Sequence, residues 1–65
     1  MTTYRMFSIE DGHRSCVRIF KLNQLVGVKA FMYKYCRESG NGSIVELIKY
    51  QDGQPVELVA RLKKR

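Results

Sequence analysis

This chain of 65 residues has no tryptophan, one proline, one histidine and two cysteines, and only 6 acidic residues against 12 basic ones. Each shortage removes a class of protein. Two cysteines cannot build the disulfide framework that staples small secreted domains. His13, Cys16 and Cys36 together supply three zinc ligands where a structural site takes four, so no metal is expected. His13, beside Glu10 and Asp11, reads as a solvated turn residue. The acidic residues are scattered and form no acid/base pair. Gly40-Asn41-Gly42 lacks the lysine and the following helix of a phosphate-binding loop. An enzyme is therefore not expected, and no cofactor is implied. There is no apolar run long enough to cross a bilayer and no secretory signal. The expectation is a cytoplasmic domain that makes no use of a membrane.

What is present is a folding composition, 45% hydrophobic and 28% charged. The length allows one domain, residues 1–65. Its core is thin, and about 3–5 kcal/mol is all such a core ordinarily supplies without a staple or a partner.

Turn signals divide the chain. Residues 3–9 and 14–21 read as strands around Asp11-Gly12, a dipeptide that tolerates positive φ at both turn positions. Asn23 suits a helix N-cap. Over residues 24–38, Leu25, Val28, Met32, Tyr35 and Cys36 recur at helical spacing, with Phe31 at the edge of the stripe. Val26 and Tyr33 fall on the polar side. Residues 44–50 and 55–62 read as strands around Asp52-Gly53. A regular ladder would pair Lys49 with Val56, Leu47 with Leu58 and Val45 with Ala60. Residues 63–65 are left as a basic tail. The order is β-β-α-β-β, an α+β two-layer sandwich with one helix on a four-stranded antiparallel sheet of two hairpins. The alternative is a five-stranded barrel in which the helical segment is strand; the helical spacing opposes it.

A regular first hairpin sets Tyr4 against Ile19, Met6 against Val17 and Ser8 against Ser15, facing the helix. The other face then carries Arg5, Phe7, Ile9, Arg14, Cys16, Arg18 and Phe20, with Arg5 directly opposite Arg18. Like charges opposed across strands destabilise a sheet. Arginines interleaved with aromatic rings suit single-stranded DNA or RNA, where guanidinium neutralises phosphate and bases stack on rings. The plainer reading is a second buried layer with arginines at its rim. Cys16 among arginines reads as a reactive thiol with no base beside it to make it a catalyst.

The net charge of +6 attracts polyanions generally. Helix-turn-helix and ribbon-helix-helix patterns need a second helix, and the RNA-recognition strand signature does not occur. The leading expectation is a non-catalytic nucleic-acid-binding protein using Arg5, Phe7, Arg14, Arg18 and Phe20, assisted by Arg61, Lys63, Lys64 and Arg65. The rival is an inhibitor or adaptor, of the type small mobile genetic elements encode, docking on an acidic protein surface through the same face or an edge strand. A homodimer through that face is the third possibility.

Overall fold

The protein is described from a computed structural model covering residues 1–64; Arg65 lies outside the described residues. Strands β1 (Thr2–Glu10) and β2 (His13–Lys21) form one hairpin, and β3 (Ile44–Gln51) and β4 (Gln54–Lys63) form the other. Helix α1 (Val28–Glu38) lies between them in sequence. The strands make one antiparallel sheet in the order β2-β1-β3-β4. The α+β architecture expected from the sequence is therefore the one observed. Both turns are two-residue loops with positive φ at each position: 51° and 79° at Asp11 and Gly12, and 51° and 82° at Asp52 and Gly53. Those angles match the right-handed twist of the flanking strands.

One face of the sheet meets the helix. Met6, Val45 and Leu47 point at Val28, Met32 and Cys36, and all six are buried. Leu25, Phe31 and Tyr35 flank this stripe. The helical spacing in the sequence located the contact correctly because it is a local property. The helix start differs from expectation. Residues Leu22–Gly27 wind as a 3-10 helix, and the α-helix begins only at Val28. Asn23 is not the cap; the Gln24 side-chain oxygen instead accepts from the Lys21 backbone amide at 2.8 Å. Gly27 adopts φ −99° and ψ 1°, off the α conformation, and breaks the segment there.

Both hairpin registers also depart from the regular ladders. In the first, Ser8 pairs with Ser15 and Phe7 with Cys16 as expected, but Met6 then pairs with Arg18, Arg5 with Ile19 and Tyr4 with Phe20. Val17 is the extra residue of a β-bulge, and every later side chain of β2 changes face. The second hairpin shifts twice. Lys49 pairs with Glu57, Ile48 with Leu58, Leu47 with Ala60 and Val45 with Leu62. The expected Lys49–Val56, Leu47–Leu58 and Val45–Ala60 pairs do not form.

The basic tail is not free along its described length. Lys63 ends β4. The Lys64 amide donates to the Ser43 carbonyl at 2.8 Å, and the Lys64 carbonyl accepts from the Gly42 amide at 3.0 Å. The Lys64 ammonium donates to the Arg37 carbonyl at the helix C-terminus, where the helix dipole favours positive charge.

Candidate functional site

The second face of the sheet has no layer over it. Alternation along β1 puts Arg5, Phe7 and Ile9 there, because Tyr4, Met6 and Ser8 are buried beneath the helix. The same logic brings Glu46, Ile48 and Tyr50 from β3, since Val45 and Leu47 face the core. From β2 come Arg14, Cys16, Ile19 and Lys21; from β4 come Leu58, Arg61 and Lys63, opposite Ile48, Glu46 and Ile44.

Two arginine–aromatic stacks occupy the middle of this face. The Arg14 guanidinium lies 3.9 Å from the centre of the Phe7 ring. The Arg5 guanidinium lies 4.1 Å from the centre of the Tyr50 ring. The two rings are 6.3 Å apart and tilted by 43°, so the stacks adjoin. An arginine over a ring is held in place by the ring's π-face while its outward donors stay available. Arg5 Nε is buried and has no hydrogen-bond partner among the described residues.

The charge on the face is nearly of one sign. Among the described residues, Arg5, Arg14, Lys21, Arg61 and Lys63 stand against a single carboxylate, Glu46. That carboxylate lies opposite Phe7 and is engaged by Arg61 at 3.8 Å. Apolar surface is interspersed: Ile19 and Leu58 are both 54% exposed.

The residues expected from sequence are thus only partly assembled. Arg5, Phe7, Arg14, Arg61 and Lys63 share the open face. Phe20 does not. The bulge turns it into the core, where it is 5% exposed and meets Phe31 edge-on at 5.9 Å. Arg18 also leaves the face: it sits opposite Met6, and its guanidinium lies 5.2 Å from the Phe31 ring of the helix. The opposed Arg5–Arg18 pair does not exist, and Ile19 takes the place of Arg18. Lys63, opposite Ile44, falls at the edge of the open face, whereas Lys64 turns to the C-terminal end of α1 and bonds the Arg37 carbonyl.

Sequence reasoning missed Tyr50 and Lys21. Tyr50 reaches Arg5 only through the β1–β3 pairing, which joins the two hairpins and has no local signature. Lys21 reaches the face only because of the bulge. Cys16 is exposed and Cys36 is buried; both are free thiols. Among the described residues no cluster of three or more His, Cys, Asp or Glu side chains is placed to hold a metal. No helix among them is long and apolar enough to cross a membrane. Comparison of the chain with protein-family models, curated proteins and solved structures finds no match.

Proposed function

We propose that the protein is a non-catalytic, cytoplasmic binder of single-stranded nucleic acid, and that the uncovered sheet face is its contact surface. The observation that carries this reading is the pair of adjoining stacks, Arg14 on Phe7 and Arg5 on Tyr50, on a face with one carboxylate. Arg5, Arg14, Lys21 and Arg61 meet phosphates. Bases stack on the outer guanidinium planes and on ring surface that the arginines yield. A duplex hides its bases from such a face, which favours single strands.

The charge distribution opposes the homodimer alternative, since two copies set face to face would bring like charges together. The exposed Ile19 and Leu58 favour a second reading, an inhibitor or adaptor that takes an acidic protein surface on the same face.

The test is a fluorescence-anisotropy titration with labelled single- and double-stranded DNA and RNA, using the native chain and an Arg5→Gln/Arg14→Gln variant. Single-strand binding that the variant loses supports the proposal. An absence of binding, or binding the variant keeps intact, overturns it and leaves the protein-partner reading.

A further inference from the structure

The helix does not cover its whole side of the sheet. Its buried stripe packs on Met6, Val45 and Leu47, while β4 adds only Ala60 and Leu62 to the core, each partly exposed. Between α1 and β4 run two hollows of about 300 and 290 Å³, lined in common by Tyr33 and Leu62, so that they form one groove. Met32, Cys36 and Leu62 give it an apolar floor. Its rims keep large apolar groups in solvent: Tyr33 is 62% exposed and Val59 is 44% exposed.

Every charged group along the groove is basic. Lys29 and Arg61 line the first hollow and Arg37, Lys63 and Lys64 the second, with the Arg61 and Lys63 side chains alternating toward the open face; no carboxylate of the described residues lines either. The bond from Lys64 to the Arg37 carbonyl ties strand to helix at one end of the groove. An apolar trough with a rim of one sign is complementary to a chain that alternates apolar and acidic groups.

We infer that this groove is a docking site for an acidic amphipathic segment of a partner protein. Apolar side chains of the segment enter the two hollows, and its carboxylates meet Lys29 and Arg37. Nucleic acid fits this surface less well than the opposite face, because Tyr33 is the only ring along the groove among the described residues and the floor is aliphatic and sulfur-bearing. Strand addition at β4 is disfavoured by its two register shifts, which interrupt a straight edge. The groove lies on the helix side of the sheet, so this inference stands apart from the proposed function.

The test is an NMR titration of the isotope-labelled full chain with a synthetic amphipathic peptide of leucine and glutamate, and with its leucine–lysine counterpart. The expected result is a set of shift changes centred on Tyr33, Val59 and Leu62 with the acidic peptide alone. The Lys29→Glu/Arg37→Glu variant should bind that peptide at least about tenfold more weakly, as loss of a complementary rim implies. Both positions are exposed, and Tyr33→Ala, also at an exposed site, should weaken binding without a change of charge. The inference is overturned if the acidic peptide fails to bind, if it perturbs Phe7 and Tyr50 instead, or if the variants bind it unchanged. It is equally overturned if the lysine peptide binds as well, or if a single-stranded oligonucleotide is what occupies the groove.

Discussion

The guanidinium of Arg5 lies 4.1 Å from the centre of the Tyr50 ring, so a residue of the first hairpin and one of the second form a single stacked unit. Thr3 is the direct partner of Tyr50. Arg5 therefore reaches the ring along the diagonal of the β1–β3 ladder, a separation that long side chains span. The stack ties the proposed binding surface to the seam between the hairpins. A double-mutant cycle with Arg5→Met and Tyr50→Leu keeps most of the apolar bulk and isolates the cation–ring contact. Urea unfolding should return a coupling of about 0.5–1 kcal/mol. A coupling of zero would mean that the two side chains merely lie near each other.

The bulge at Val17 has a consequence for stability that a regular hairpin reverses. Phe20 is 5% exposed, whereas Ile19 is 54% exposed. Phe20→Ala should cost about 3–5 kcal/mol, enough to unfold a domain with a core this small. Ile19→Ala should stay within about 0.5 kcal/mol. Thermal unfolding followed by circular dichroism separates the two outcomes. In a regular ladder Ile19 would face the helix, and it would be the costly position.

These residues also mark where the sequence stops being legible. The element order, both Asp-Gly turns and the Val28–Met32–Cys36 stripe were readable because each depends on residues within a turn or two of one another. The registers were not. A bulge adds one residue and inverts the faces beyond it, and nothing in Cys16-Val17-Arg18 announces it, neither a glycine nor a proline. The candidate site inherited that error: Phe20 and Arg18 were assigned to a face they do not share with Arg5. Tyr50 was missed for a different reason. Its pairing with the first hairpin depends on how two distant hairpins dock, which alternation within each strand does not specify.

The turn between β3 and β4 is held to the start of β1. The Asp52 amide donates to the Met1 carbonyl at 3.0 Å, and the Asp52 carboxylate accepts from the Met1 ammonium at 2.6 Å. That hydrogen bond first, and the positive charge second, hold the Asp52 carboxyl below its ordinary value of 3.8. A carboxyl whose pKa is lowered by folding adds stability above its unfolded pKa and loses it as the pH falls through the folded value. The pair is exposed, so the effect is small and screened by salt. Thermal melts between about pH 6 and pH 2 should show Asp52→Asn losing less stability on acidification than the native chain, given the range in which carboxylates titrate. Parallel acid limbs in the two proteins would contradict this.

The most direct test of the central claim is the salt dependence of affinity for a labelled single-stranded oligonucleotide. Each single-strand phosphate neutralised contributes about 0.7 to the slope of log affinity against log salt. Arg5, Arg14, Lys21 and Arg61 on the open face should together give a slope of roughly −2 to −3 by that rule. Arg14→Gln should make it shallower by about 0.7. Affinity that does not change with salt, or a slope that Arg5→Gln/Arg14→Gln leaves untouched, would contradict the assignment of nucleic acid to this face.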